Sequence, residues 1–578
     1  MFSRSAFASR IRFVAGIMLL AWVLIIGRLY YVQVMHGAEY RSAAEGQYVK
    51  QSSTQLDRGS IFFTAKDGTH ISAATLATGD TIAFNPQALG SATSTYAALA
   101  PLLPALDEQT FTTAAAKKNL VYVAVAKHVS SAVGDKIIAL NLPGVLVLAD
   151  TWRYYPGGDL ASHEIGFLAY GPDGTTEIGQ YGLERYYDTA LSRVPGGLYV
   201  NFFADLFSNI RTQLFSDSVG PGADLVTTIE PTVQAYLERE LKNYQTTWRA
   251  ETVGGIIMDP STGAIVAMAA EPGFDPNNFQ SANPATFRNP LVSNVYEFGS
   301  VVKALTMAAG LDSGAVTPTT TYDDTGYTIL NGEKINNWDH KSRGIVDMQT
   351  VLSQSLNTGA AFVEQKMGTS TFRSYFEKFG IESESGVDLP DEASPLVGNL
   401  SSPRQVEYAT ASFGQGIALT PVAMVRALAT LANHGLVPSP HVGAELDYGG
   451  GIVKTLNWSP PRRAISAESA DTVSSMLVKI MDETLANGKD KIPGYSVALK
   501  TGTAQLVDTA TQGYYSDRFL HSYFGYFPAF NAHFIVFFFA TDPQGAPYAS
   551  ETWTSYFLDT VKFLISYYNI PPDRPTTN

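Results

Sequence analysis

The sequence predicts an α+β fold: an antiparallel sheet covered by helices, preceded by a mixed α/β N-terminal region and one membrane-spanning helix. Three observations predict it. Strand-like apolar runs cluster at both ends of residues 221–570 with helical stretches between them. One of the late runs, Phe534–Ala540, is apolar at every position, the pattern of a strand covered on both faces. The first 35 residues hold an uncharged apolar segment between arginines.

Taken in order, the chain opens with Arg4, Arg10 and Arg12, which keep residues 1–12 on the cytoplasmic side. Phe13–Gly27 is uncharged but only fifteen residues long, short of the roughly 20 that a spanning helix needs. Snorkelling by Arg12 and Arg28, with Leu29, Tyr30, Tyr31 and Val32 beyond, extends the segment to Met35. No small-residue cleavage site follows, so an uncleaved anchor over 13–35 is expected rather than a signal peptide. Residues 36–220 are mixed, with a strand candidate at Val145–Leu148. Ser216–Gly222 is a turn-rich border. Beyond it come a strand over Leu225–Ile229, a helix from Pro231, and a hairpin of Gly255–Met258 and Ala264–Ala269 around Asp259–Gly263. Helices are expected over Val301–Leu311, Met348–Lys366 and Pro421–Asn433, strands over Ser496–Leu499, Ser522–Phe527 and Phe534–Ala540, and a closing helix over Trp553–Tyr568. Residues 571–578 read as a loose tail.

The chain of 578 residues has no cysteine, which excludes thiolate metal sites, iron–sulfur clusters and cysteine nucleophiles. Its net charge of -14 is asymmetric. Residues 1–38 hold four arginines and no acid, leaving 35 basic against 53 acidic side chains in the remainder, a poor composition for nucleic acid. The nine histidines form no His-Glu-x-x-His pair, and no glycine-rich stretch ends in Gly-Lys-Ser/Thr. A Gly-x-Ser-x-Gly elbow is also absent, so a serine served by something other than histidine is the nucleophile to look for.

Three elements meet that description. Ser300 and Lys303 are spaced i,i+3 at the start of a helical run, one turn apart on one face, where a desolvated amine can take the hydroxyl proton. Ser355 and Asn357 flank Leu356 between helical stretches, a hydroxyl to relay a proton and an amide to hold a peptide backbone. Lys500-Thr501-Gly502-Thr503 follows a strand candidate; its glycine leaves room for an extended peptide along the strand edge, and its lysine and hydroxyls face a carboxylate. Each alone is an ordinary helix cap, turn or strand end. Together they occur in the order required of a serine acyl-transfer site.

With these motifs the chain resembles the class B penicillin-binding proteins, membrane-anchored bacterial D,D-transpeptidases. The likeness extends to Asp259-Pro260-Ser261-Thr262-Gly263, Arg288-Asn289, Tyr296-Glu297-Phe298-Gly299-Ser300, Ser412-Phe413-Gly414-Gln415-Gly416 and His521-Ser522-Tyr523. In the N-terminal half Arg58-Gly59-Ser60-Ile61, Arg153-Tyr154-Tyr155-Pro156 and Gly182-Leu183-Glu184 resemble the pedestal motifs of that class. The resemblance implies the penicillin-binding transpeptidase fold over 221–570 on a pedestal over 36–220, with no cofactor and no metal. It implies that Ser300 attacks the carbonyl between two terminal D-alanines of a stem peptide while Lys303 takes its proton. The Ser300 and Thr503 N–H groups would form the oxyanion hole, and Ser355 would protonate the departing D-alanine. Asn357 would hold the donor amide, Lys500 would supply field and proton relay, and Thr501 and Thr503 would bind the terminal carboxylate. β-Lactams would be trapped at the same serine. Further implied partners are a glycosyltransferase and division proteins, and the Ser-x-Asn form of the second motif favours septal synthesis over elongation.

Three positions depart from the family pattern: Phe298 where proline is usual, Leu499 where glycine is usual, and Phe63–Gly68 in place of Asp-Arg-Asn-Gly. The competing readings are a D,D-carboxypeptidase or β-lactamase using water as acceptor, and a non-catalytic receptor or division scaffold.

Overall fold

The computed structural model describes residues 56–174, 176–193, 222–508, 510–511 and 513–575. The anchor expected over 13–35 and the border expected near 220 lie outside them. Among the described residues no helix is long and apolar enough to cross a membrane. From Asp57 onward the described residues belong to one compact unit.

Its elements, in chain order, begin with strands β1 (Ile61–Thr64), β2 (His70–Phe84), β3 (Val123–Val129), β4 (Val145–Tyr154) and β5 (Asp224–Thr227). Helix α1 (Pro231–Trp248), strands β6 (Thr252–Met258) and β7 (Ile265–Glu271), and helices α2 (Val302–Asp312), α3 (Met348–Ser353), α4 (Asn357–Met367) and α5 (Pro421–Ala432) follow. Strands β8 (Gly443–Asp447) and β9 (Val453–Thr455), helix α6 (Ala467–Lys479), strands β10 (Ala498–Asp508), β11 (Gly513–Phe527) and β12 (Phe534–Thr541), and helix α7 (Ala549–Tyr568) complete it.

The central sheet is antiparallel in the order β10-β11-β12-β6-β7. The fully apolar run expected to be covered on both faces is β12, buried at every position. Alternation sends Phe538 to one face, where it stacks on Trp553 of α7, and Phe539 to the other, against Tyr296. Helices α1 and α7 close the first face, with Tyr244 stacked on Trp553 at 3.7 Å. Helix α1 starts where Pro231 can occupy a first-turn position without losing a hydrogen bond, and Glu230 caps it by accepting from the Val233 N–H at 2.7 Å.

A second sheet draws on both halves of the chain, in the order β9-β8-β5-β1-β2-β3 with β4 also paired to β2. Strand β5 pairs parallel with β1 and antiparallel with β8. Beside it Arg58, Arg153 and Glu184, one from each pedestal-like motif, meet in the interior. The Glu184 carboxylate accepts from Arg58 Nε at 2.7 Å and Arg153 Nε at 2.6 Å. The segment that departs from Asp-Arg-Asn-Gly forms the turn Ala65–Gly68, whose Lys66 bonds the Tyr567 carbonyl and lies over the Tyr567 ring at 5.2 Å, at the C-terminal end of α7.

Three expectations need correction. The helical stretch expected over Met348–Lys366 is two helices, broken where Ser355 adopts φ 54°. Lys500–Thr503 does not follow a strand: β10 begins at Ala498 and runs through the motif, because β11 pairs with it residue by residue. The tail expected to be loose is tied down as far as Arg574. Asp573 accepts from the Ser496 N–H at 2.8 Å, and Arg574 Nη2 pairs with Asp482 Oδ1 at 2.8 Å.

Candidate active site

Ser300 sits on a single 3-10 turn, Gly299–Val301, leading into α2. That turn is wedged between two backbones. The Gly299 N–H donates to the Gly414 carbonyl at 3.1 Å, and a Cβ at Gly414 would lie 2.2 Å from the Gly299 carbonyl oxygen, so the Ser412–Gly416 loop needs glycine there. Phe298 is buried and packs edge-on against Phe537, ring centres 5.2 Å apart. The aromatic departure from proline thus anchors the nucleophile's turn to the sheet.

On the other side the turn meets β10. A Cβ at Gly502 would lie 2.3 Å from Ser522 Oγ, 2.6 Å from the Phe298 carbonyl oxygen and 3.1 Å from Val301 N. Gly502 therefore serves differently from the expectation: the space beside it is filled by the protein, and it lets the strand approach the nucleophile's turn rather than admitting a peptide. Leu499, the other departure on this strand, is buried and borders the cleft.

The two lysines converge on Ser355. Lys303 Nζ donates to the Ser355 carbonyl at 2.6 Å and to its Oγ at 3.1 Å, and Lys500 Nζ donates to the same Oγ at 3.1 Å and to the Thr501 carbonyl at 2.9 Å. Both amines are buried, 1 % and 2 % exposed. Burial, reinforced by Lys500 beside it, holds the Lys303 amine well below the ordinary lysine range. Burial brings Lys500 down to about 7. Lys303 is therefore equipped as a neutral base, while Lys500 sits near the midpoint of its titration at neutral pH.

Asn357 is the first residue of α4, and its amide donates to the Asn336 carbonyl at 2.9 Å. That bond spends one N–H and leaves the side-chain oxygen available to accept from a peptide. Behind it Asp324, Asn337 and Thr358 form a buried network that fixes the start of the helix. Thr503 Oγ accepts from the Ala549 N–H at 3.1 Å, so its own proton is free to be donated, as binding a carboxylate requires.

Ser300, Ser355, Asn357, Lys500, Thr501 and Thr503 border one cleft of about 1410 Å³, with Lys303 buried behind Ser355. Sequence reasoning missed Asn336, which orients Asn357, and the pair Trp338 and Tyr548, whose rings meet edge-on at 5.2 Å where they line the same cleft. Neither aromatic stands in a motif. Only the fold brings them together. Among the described residues no cluster of histidine or acidic side chains is arranged to hold a metal ion.

Residues 253–559 fit the family model described as the penicillin-binding protein transpeptidase domain. The chain belongs to that family. More finely, it is a class B penicillin-binding protein. It is 28% identical to Stage V sporulation protein D of Bacillus subtilis over 93% of this chain and 82% of the relative. To the peptidoglycan D,D-transpeptidase FtsI of Escherichia coli it is 28% identical, over 79% of this chain and 74% of the relative. Among solved structures it resembles penicillin-binding protein 2X from Streptococcus thermophilus, with a TM-score of 0.72 at 20% identity, covering 89% of this chain and 80% of that one. Penicillin-binding protein 3 from Mycobacterium tuberculosis in complex with aztreonam gives 0.68 at 21%, covering 91% and 99%. The fold of this penicillin-binding protein is the one those structures share.

Proposed function

We propose that the chain is a serine D,D-transpeptidase that crosslinks peptidoglycan stem peptides through an acyl-enzyme on Ser300, working in septal wall synthesis. The observation that carries the reading is the convergence of two buried lysine amines on Ser355 Oγ beside the nucleophile's turn. A neutral Lys303 accepts the Ser300 proton as Oγ attacks the carbonyl, and Ser355, hydrogen-bonded to both amines, passes a proton to the departing D-alanine nitrogen. The Ser300 and Thr503 N–H groups are assigned to the oxyanion: a Cβ at Gly299 would lie 3.0 Å from the Thr503 carbonyl oxygen, so turn and strand touch where the two donors are needed. Asn357 takes the donor amide, while Thr501, Thr503 and Lys500 take the terminal carboxylate. A β-lactam carries the same carboxylate and a more reactive carbonyl, and is held at the same serine.

The septal role rests on the Ser-x-Asn form of the second motif. A single-pass anchor over 13–35, with the catalytic region outside the cytoplasmic membrane, and a glycosyltransferase with other division proteins as partners complete the reading. Labelling with a fluorescent penicillin, wild type beside Ser300→Ala, tests the chemistry. The wild type is expected to retain the label for hours and the variant to take none. Labelling of both, or of neither, rejects the assignment, and rapid loss of label would favour a β-lactamase or carboxypeptidase.

A further inference from the structure

Behind the carboxylate-binding end of the cleft lies a buried histidine that the proposed chemistry does not use. His521 stands on β11 directly opposite Thr503 of β10, and opposite residues of an antiparallel pair present their side chains on the same face. That face is the one α7 covers, and both side chains reach the first turn of the helix. Thr503 Oγ accepts from the Ala549 N–H at 3.1 Å, and His521 Nδ1 lies 3.0 Å from Thr552 Oγ1 in a second hydrogen bond. The imidazole is fully buried, and its Nε2 finds no hydrogen-bond partner among the described residues, so Nδ1 carries its fixed contact. Burial outweighs the pull of the Pro547 carbonyl and brings the ring's pKa down to about 4, which leaves it neutral at physiological pH. Thr503, Pro547, Tyr548 and Ala549 border the cleft, but His521 does not. Whatever it does for the reaction passes through the groups it holds.

The first turn of a helix has backbone N–H groups without intrahelical partners, and it frays unless something caps them. In α7 the residue before that turn, Tyr548, supplies no side-chain cap. Thr503 caps the Ala549 N–H from outside the helix instead, and the turn that opens there ends on Thr552, which His521 holds. One cross-strand pair therefore grips the turn at both ends. Thr503 depends on that grip. While its Oγ accepts from Ala549, its own proton stays aimed away from the helix, free for a terminal carboxylate. If the turn drifts, the hydroxyl is released to other rotamers and other acceptors. The Thr503 N–H behaves differently, because its strand stays paired to β11 residue by residue whatever α7 does. Carboxylate recognition is thus the part of the site that rests on His521.

Resting on the transpeptidase reading, we infer that His521 is a positioning residue for substrate specificity: through Thr552 it fixes the first turn of α7, and through Ala549 that turn fixes the Thr503 hydroxyl toward the donor's terminal carboxylate. Its effect falls on which leaving group is accepted, a free carboxylate over a neutral analogue, and not on proton transfer at Ser300. Either a donor or an acceptor at the place of Nδ1 serves, since the Thr552 hydroxyl can take both parts.

The test uses the full chain and two thioester donors whose leaving groups differ only in ending with a carboxylate or its carboxamide. The second-order rate constant of acylation is measured for each, and the carboxylate-to-carboxamide ratio is the readout. His521→Leu, which fills the space without a polar atom, is expected to lower that ratio about fivefold or more, the order of loss when a hydrogen bond to a charged group is loosened. His521→Asn, whose amide lies where Nδ1 did, is expected to hold the ratio within about twofold of wild type, a rescue that space-filling alone does not give. Where His521→Leu does not fold, Thr552→Val, close in shape and without the hydroxyl, is expected to give the same fall. A merely structural role would lower both rate constants in proportion, so a ratio unchanged in His521→Leu or in Thr552→Val overturns the inference, as does a ratio as low in His521→Asn as in His521→Leu. If neither donor gives an acyl-enzyme in the wild type, the transpeptidase reading falls, and the inference with it; that failure is read from acyl-enzyme formation and not from the ratio.

Discussion

Ser355 is held at φ 54°, a backbone conformation disfavoured for any residue with a Cβ, and in it both its carbonyl and its hydroxyl accept from Lys303. With two amines donating toward one hydroxyl, charge is rationed. Lys303 must be neutral to act as base, and its burial keeps it so until the pH falls below its lowered pKa. Lys500 must be charged to meet a carboxylate, and with its amine at about 7 it loses that charge as the pH rises past neutrality. The second-order rate of acylation by a carboxylate-bearing β-lactam is therefore expected to be bell-shaped, the low-pH limb set by Lys303 and the high-pH limb by Lys500. Above about pH 7 the rate should fall about tenfold per pH unit. Lys500→Arg, charged throughout, should lose the high-pH limb even though its overall rate is lower. A limb that stays in place in Lys500→Arg would assign that titration to another group.

At the scale of elements, helix α4 carries a cost distant from the chemistry. Glu364 is buried with neither carboxylate oxygen hydrogen-bonded, and burial pushes its pKa up to about 7. Its folded pKa is raised, so the unfolded chain ionises first. Stability falls as pH rises from about 4.5 to about 7 and stays reduced above that, by up to about 3 kcal/mol. Glu364→Met, similar in volume and uncharged, is expected to raise the melting temperature at pH 8 by several degrees and to leave it nearly unchanged at pH 4.5. An equal gain at both pH values would point to packing rather than ionisation. What was legible of these elements followed the strength of the local signal. Periodicity gave α2 and α5 nearly to their ends and α7 without its first turn, Pro231 marked the start of α1, and uninterrupted apolarity gave β12. The break between α3 and α4 has no proline or glycine in Gln354, Ser355 and Leu356 to fix its bounds, which is why one apolar stretch could be drawn across it; in the fold Lys303 and Lys500, from elsewhere in the chain, hydrogen-bond Ser355 there. Strand β10 read as ending before its motif because Lys500, Thr501 and Gly502 have low strand propensity, which pairing to β11 overrides. Motif spacing brought out Ser300, Ser355, Asn357, Lys500, Thr501 and Thr503, which the fold gathers at one cleft, but not Asn336, and it gave Gly414 and Ser522 no role, because each contributes a backbone carbonyl, a missing side chain or a hydroxyl to a contact distant in sequence.

For the molecule as a whole, the sequence suggested two bodies divided near residue 220, yet β5, beyond that point, lies between β1 and β8 in one sheet. A strand paired on both edges cannot leave its sheet without breaking both ladders, so the pedestal strands and the β8–β9 hairpin of the transpeptidase half are expected to unfold together. The same region holds the carboxylate of Glu184, fully buried between Arg58 and Arg153. Removing the acid leaves the buried Arg153 guanidinium without its carboxylate and Arg58 with Asp188 alone, a loss on the order of 3–5 kcal/mol. Glu184→Gln keeps the shape and removes the charge, and because Glu184 belongs to the compact unit that also holds the cleft, its effect should not stay local. Differential scanning calorimetry of the wild type is expected to give one transition for the described body. Glu184→Gln should move that whole transition down by several degrees, and loss of fluorescent penicillin labelling on heating should shift by the same amount. A variant in which an early transition separates off while labelling still survives to the wild-type temperature would mean that the two halves fold independently, despite the strand they share.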